Sequence, residues 1–250
     1  MSLLRSLEAP PTWRRLAFIS DLHLGPDTAA TQAALAAWLE REPADALFIL
    51  GDLFEAWVGD DASGLAYAKR LAESLRSFAR PTFFQHGNRD FLLRDFAGLQ
   101  LLDERCVLQA FGQRVLLAHG DAQCLDDAPY QAFRSQVRNP NWQDAFLTRP
   151  LTERLHMAAQ MRDASQRAQG EARGKGLPFA DPDTQACRAL LQSSHCELMV
   201  HGHTHRPGHY PLGDAFSRLV LSDWDFESSP PRGDCLIWTE SGWQREAVWA

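Results

Sequence analysis

The chain lacks a CxxC pair. Its five cysteines, Cys106, Cys124, Cys187, Cys196 and Cys235, are odd in number and scattered. That excludes a disulfide framework and a thiolate zinc knot, and reduced thiols are expected. No apolar run approaches the roughly 20 residues of a membrane span, and Met1 to Trp13 lacks the apolar core of a signal peptide. The protein is therefore expected to start and stay on the cytosolic side. A basic excess is missing too: a net charge of −7 argues against a chain whose main task is holding nucleic acid. Internal repeats and low-complexity tracts are absent. With 45% hydrophobic and 23% charged residues, a disordered, collagenous or coiled-coil chain is excluded. At 250 residues, one large domain or a domain carrying an inserted subdomain is expected.

What is present begins with short runs rich in β-formers: Leu16 to Ser20, Ala46 to Leu50, Thr82 to His86, Val107 to Phe111, Val115 to Ala118 and Leu198 to His201. Between the first of them lie helix-like stretches, Thr28 to Glu40 and Ser63 to Ala79, the second stopping before Pro81. Strand alternating with helix predicts an α/β sheet with parallel central strands. Gly112–Gln113 predicts a hairpin, and Leu219 to Leu221, Cys235 to Trp238 and Ala247 to Trp249 read as further strands. Residues 126–180 differ from their surroundings. They are helix-rich and carry eight basic against six acidic residues, +2 where the rest of the chain is −9. An inserted helical cap accounts for both the composition and the break in the strand pattern. A merely solvated helical hairpin remains the other reading of this segment.

Five apolar runs each end in a polar cluster: Asp21-Leu22-His23, Gly51-Asp52, Gly87-Asn88-Arg89-Asp90, His119-Gly120-Asp121 and His201-Gly202-His203-Thr204-His205. Ligands of open α/β sheets bind outside the carboxyl ends of the strands, so these clusters are placed to converge. Imidazole, carboxylate and amide oxygen without thiolate suit Mn²⁺, Fe²⁺ or Zn²⁺ in a catalytic site. Seven candidate ligands, Asp21, His23, Asp52, Asn88, His119, His203 and His205, exceed the need of one ion. Shared between two, with Asp52 bridging, they predict a hydrolytic dinuclear centre. His156, His195 and His209 have no partner cluster and read as structural. His86 and His201 precede the ligand-bearing turns, and with Asp90 and Asp121 are candidates for hydrogen-bonding the ligands.

In this order the clusters resemble the calcineurin-like metallophosphoesterase superfamily, whose pattern runs D-x-H, G-D, G-N-H-[DE], H, G-H-x-H. The resemblance implies an α/β/β/α sandwich over residues 14–250, with 126–180 as an inserted helical cap and 1–13 as an N-terminal extension. It further implies that Asp21, His23, Asp52 and His205 hold one metal, and Asp52, Asn88, His119 and His203 the other. Arg89 stands where most of the superfamily has histidine. Arginine is effectively never deprotonated, so it cannot serve as a general acid but can grip a phosphate. That predicts a leaving group needing little proton help, such as a phosphate leaving from a pyrophosphate.

Longer stretches, Ile49 to Asp61, His86 to Leu93, Asp126 to Arg134 and His201 to Pro207, are similar to the UDP-2,3-diacylglucosamine hydrolase family of the lipid A pathway. This implies water attack on the α-phosphorus of UDP-2,3-diacylglucosamine, giving UMP and 2,3-diacylglucosamine 1-phosphate (lipid X). The alternative is another nucleotide pyrophosphate or a small phosphodiester. The resemblance assigns Asp52, Asn88, Arg89 and His203 to catalysis. Substrate contacts are expected at Asn88, Arg89, Asp127, Tyr130, Arg162, Ser165, Gln169, Lys175 and His203, with Arg173 as the rival to Lys175. Two divalent ions, manganese foremost, are the expected cofactors. The expected state is a monomer, peripherally bound to the cytoplasmic face of the inner membrane through its cap, with no nucleic-acid partner.

Overall fold

Apolar runs of four to six residues fold as strands, and the amphipathic stretches between them as helices, in two stacked sheets. The computed structural model describes residues 4–174 and 181–248, without the side chains of 165–166 and 168–174. The first half contains β1 (Arg5–Glu8), β2 (Arg15–Ile19), α1 (Ala29–Arg41), β3 (Ala46–Leu50), α2 (Ala66–Phe78), β4 (Thr82–Gln85) and β5 (Gln100–Leu101). Then follow β6 (Arg105–Ala110) and β7 (Gln113–Ala118), and helices α3 (Ala128–Val137), α4 (Pro140–Leu147), α5 (Leu151–Gly174) and α6 (Thr184–Ser194). The chain closes with β8 (Leu198–His201), β9 (Gly208–Pro211), β10 (Ser217–Val220), β11 (Asp234–Thr239) and β12 (Gly242–Ala247).

One sheet runs β1-β6-β7-β8-β10-β9 and the other β12-β11-β2-β3-β4-β5. Strands β2, β3 and β4 are mutually parallel, as are β7, β8 and β10. Parallel central strands are buried on both faces, which is why they read as unbroken apolar runs. Leu16, Phe18, Phe48, Leu50, Leu108, Leu117 and Val200 fill the layer between the sheets. Ile19, Leu47 and Ile49 pack outward under α1 and α2, and Leu116 and Met199 outward under α6. The layers are therefore α/β/β/α. Across β2, β3 and β4 the opposed residues Phe18, Phe48 and Phe83 stack, with centroids 4.9 Å apart at each step.

Phe111 and Gly112 both have positive φ and close the β6–β7 hairpin, a two-residue turn matched to strand twist. Two elements depart from the pattern reading. Arg5–Glu8, expected outside the domain, is an edge strand parallel to β6. It is short and mostly exposed, so no apolar alternation announces it. The last strand among the described residues is Gly242–Ala247, paired back onto β11, so it begins earlier than the expected Ala247 to Trp249. Its polar Gln244, Arg245 and Glu246 hide a half-exposed edge, and residues 249–250 lie outside the described set.

Residues 128–174 form three consecutive helices with no strand among them. Asp127 and Asn139 cap α3 and α4 by accepting from Tyr130 N and Asn141 N, and prolines stand in the first turns. Side chains of Tyr130, Arg138 and Arg154, among others, seat these helices on the sandwich. Tyr130 Oη donates to buried Asp121 at 2.5 Å. Arg138 donates to the Gly87 carbonyl at 2.9 Å. Buried Arg154 donates to the Val58 carbonyl and pairs with Asp61.

Candidate metal centre

Each candidate ligand follows the carboxyl end of a strand: Asp21 and His23 after β2, Asp52 after β3, Asn88 after β4, His119 after β7, His203 and His205 after β8. Backbone bonds stitch these loops together. Asp21 N donates to Gly51 O at 3.1 Å, His23 N to Asp52 O at 3.0 Å, and Gly202 N to His119 O at 2.9 Å. The approach is close enough to require glycine. A Cβ on Gly87 would collide with the Asp52 carboxylate, and one on Gly202 with the side chains of Asp21 and Ser20. Asp90 is fully buried and accepts from Gly87 N (2.8 Å) and Leu53 N (2.7 Å), pinning the Asp52 and Asn88 loops to each other.

All seven side chains meet. Asp21, His23 and His205 form one cluster of potential ligand atoms, and Asp21, Asp52 and His119 a second. Asn88 Oδ1 lies 3.1 Å from His119 Nε2 and 2.9 Å from His203 Nδ1. Asp52 turns one oxygen to each side: Oδ2 is 4.0 Å from His23 Nε2, and Oδ1 is 3.7 Å from His119 Nε2. Asp21 belongs to both clusters, which the motif alone does not reveal.

The donor chemistry fits two cations. His119 Nδ1 is 2.8 Å from the Leu50 carbonyl, so that nitrogen carries the proton and Nε2 is turned toward the oxygens of Asn88 and Asp52. His23 Nε2 and His205 Nε2 face each other at 3.3 Å. Imidazole nitrogens set this close to each other and to carboxylates call for a proton or a cation between them. The same demand appears in the ionisation of the groups. Burial disfavours the charged imidazoles, yet Glu55, Asp52 and Asp21 raise the pKa of His23, and Asp52 and Asp21 that of His119. Asp21, hydrogen-bonded to His205, raises that of His205, and against its own burial Asp21 is held far below the usual carboxylate range. His203 goes the other way, down to about 4, through burial and then the charge of His119.

Five of the seven, Asp21, His23, Asp52, His203 and His205, have positive φ between 49° and 66°. Such backbone is uncommon outside glycine and gathers where a site over-determines it.

The remaining predicted residues fall as follows. Arg89 lies at the rim; its backbone N donates to Asp52 Oδ1 at 2.9 Å, and its guanidinium points to Glu55. Arg162 reaches the same carboxylate from α5. Asp127 acts as a helix cap, and the Tyr130 hydroxyl is taken up by Asp121. Lys175 lies outside the described residues, as do the side chains of Ser165, Gln169 and Arg173. His86 bonds the Leu93 carbonyl at 2.6 Å, and His201 lies between Gly202 O and Arg218. Sequence reasoning missed Ser20, Glu55 and Asp223. Ser20 Oγ donates to Asp21 at 2.5 Å, and Asp223 Oδ2 faces His205 Nδ1 at 3.5 Å. Asp223 follows β10, so the rule that found the other strand-end clusters applies to it as well.

The family model for the calcineurin-like phosphoesterases matches residues 14–207. A UDP-2,3-diacylglucosamine hydrolase of Chromobacterium violaceum is 47% identical over 218 residues, covering 83% of this chain and 89% of the relative. Proteins of the same name from Bordetella pertussis (41%, covering 94% and 93%) and Salmonella typhi (43%, covering 85% and 92%) are similarly close. Among solved structures, a dimetal phosphatase from Danio rerio superposes with a TM-score of 0.50 at 12% identity, covering 96% of this chain and 100% of that one, a likeness of fold alone. Among the described residues no helix is long and apolar enough to cross a membrane.

Proposed function

Because the chain belongs to the calcineurin-like phosphoesterase family, a family of metal-dependent hydrolases, we propose that it cleaves the pyrophosphate of UDP-2,3-diacylglucosamine, yielding UMP and 2,3-diacylglucosamine 1-phosphate. The observation carrying this reading is the meeting of seven ligand side chains beside an arginine in place of a proton donor, in a chain 40–47% identical to hydrolases of that name. Asp21, His23, Asp52 and His205 would hold one ion, and Asp52, Asn88, His119 and His203 the other, with manganese as the ion in use. Bound there, two divalent ions supply an activated water and neutralise phosphoryl charge.

The chain's own groups do the rest. The backbone N–H of Arg89 and the buried Asp90 hold Asp52 and its loop in place. His203, neutral at physiological pH, offers a hydrogen bond to a phosphoryl oxygen without competing for its charge. The Arg89 guanidinium keeps its charge through the reaction and stabilises the oxygens in the transition state. Attack opposite the bridging oxygen breaks its bond to the α-phosphorus, and the oxygen leaves within the sugar phosphate. A phosphate leaving group needs no general acid, which agrees with the missing histidine.

The helical insertion, 126–180, is read as the cap over the diacylated sugar. Asp127, Tyr130, Arg162, Ser165, Gln169 and Lys175 are its proposed contacts. Leu125, Phe133 and Met161, the large apolar side chains left exposed among the described residues, all lie on or beside it. A monomer working peripherally at the cytoplasmic face of the inner membrane completes the proposal. Hydrolysis in ¹⁸O water with Mn²⁺ tests it by mass spectrometry. Label in UMP is expected; label in the sugar phosphate, or no cleavage of the diacylated UDP-sugar, overturns it.

A further inference from the structure

One carboxylate outside the metallophosphoesterase motif gathers groups from three separate elements. Glu55 stands three positions after Asp52 and is 22% exposed. Its Oε2 lies 3.1 Å from His23 Nδ1. Its Oε1 lies 3.8 Å from Arg89 Nη1 and 3.6 Å from Arg162 Nε. Arg89 belongs to the core loop after β4, while Arg162 comes down from α5. Glu55 and Arg162 line a cavity of about 350 Å³ that also touches His23 and His205, so both face the candidate metal centre.

The distances matter. At 3.6 and 3.8 Å the guanidiniums are held by charge rather than by hydrogen bonds. The Nε of each is buried and has no hydrogen-bond partner. A buried unpaired donor is costly, and two of them flanking one anion mark a place prepared for oxygen acceptors. Burial alone would favour a neutral Glu55, but His23, Arg89 and Arg162 keep its pKa below the ordinary glutamate value. Without that anion, two guanidinium charges drawn toward one oxygen repel each other.

We propose that Glu55 is a positioning residue for the second phosphate of a diphosphate substrate. It draws Arg89 of the core and Arg162 of the helical insertion to one point, Arg89 through Nη1 and Arg162 through Nε, and leaves their other guanidinium N–H groups to the phosphate. The inference rests on the diphosphate reading given above. It adds the device by which core and cap share one anion site.

The test uses the full chain at saturating Mn²⁺, with UDP binding measured by calorimetry for wild type, Glu55→Gln, Arg162→Ala and the double variant. Each single variant is expected to weaken UDP binding about tenfold, and the double variant hardly more than either single, because the two act as one unit. Glu55→Asp recovers part of the loss. On the diacylated UDP-sugar, KM of Glu55→Gln rises by more than kcat falls. Additive losses in the double variant, or wild-type UDP binding by Glu55→Gln, overturn the proposal. Should Glu55→Gln fail to fold, Glu55→Asp carries the same cycle. If wild type binds UDP yet leaves the lipid nucleotide intact, the substrate reading falls while the UDP cycle still decides the role of Glu55.

Discussion

His201 shows how a side chain next to the centre can shape the protein without touching an ion. It is fully buried, its Nδ1 is 2.9 Å from the Gly202 carbonyl, and Arg218 donates to its Nε2 at 3.3 Å. Burial, then the Arg218 charge, drives its pKa down to about 3. The unfolded imidazole protonates near pH 6.5, so between that value and about 3 the unfolded chain binds a proton that the folded one refuses. Stability contributed by His201 is complete above pH 6.5 and is lost as pH falls toward 3. Between pH 7.5 and 5.5 the loss amounts to about 1.4 kcal/mol. Urea unfolding of wild type and His201→Gln at both pH values should show the variant losing less by that amount; equal losses would mean that His201 is not held neutral. Residue identity at the site was legible because each ligand is a chemically specific side chain placed after an apolar run. Backbone conformation was not. The positive φ of Asp21, His23, Asp52, His203 and His205 comes from the crowding of loops distant in sequence, as does the collision space beside Gly87. The part Glu55 plays was equally hidden, since its partners lie 32, 34 and 107 positions away.

Strands β2, β3 and β4 deliver three of the ligand loops, and their relative height is set by their pairing. Phe18 stands opposite Phe48, and Phe48 opposite Phe83, with interplanar angles of 15° and 14°. Cross-strand aromatic pairs stabilise a register beyond the area they bury. Phe48 is fully buried at the centre of this ladder, so Phe48→Ala should cost about 3–5 kcal/mol, read by denaturant unfolding. A loss below 1 kcal/mol would mean that the inter-sheet layer closes over the gap. These buried parallel strands were readable as continuous apolar runs. The edge strands β1 and β12 were not, because exposed polar residues on an edge carry no burial pattern. That helices fill the stretch after β7 was visible from its missing strands, but their seating was not: Tyr130 on Asp121 and Arg138 on Gly87 O join positions that only folding brings together. Tyr130, expected at the substrate, is thereby also a clasp between α3 and the loop after His119.

Folding gathers Asp21, Asp52 and Asp90, all nearly devoid of solvent, beyond the carboxyl ends of β2, β3 and β4 in one sheet. Asp90 is lifted to about 7 by burial and by the charge of Asp52, opposed by the backbone N–H groups it accepts. A chain that concentrates carboxylates in its interior is less stable alone than with the ions that neutralise them. The candidate ligands come from five strand ends in both sheets, so the site exists only when the whole sandwich is assembled, and ion binding there would be linked to global folding. At a free ion concentration a hundred times the dissociation constant, one site adds about 2.7 kcal/mol. Thermal melts should therefore rise with Mn²⁺ and fall on chelation, while Asp52→Asn, which removes the carboxylate proposed to serve both ions, should flatten that response. A melting temperature indifferent to Mn²⁺ in the wild type would mean that the converging side chains do not hold the ion. A full response surviving in Asp52→Asn would instead move the shared position to Asp21, the carboxylate that lies in both ligand clusters.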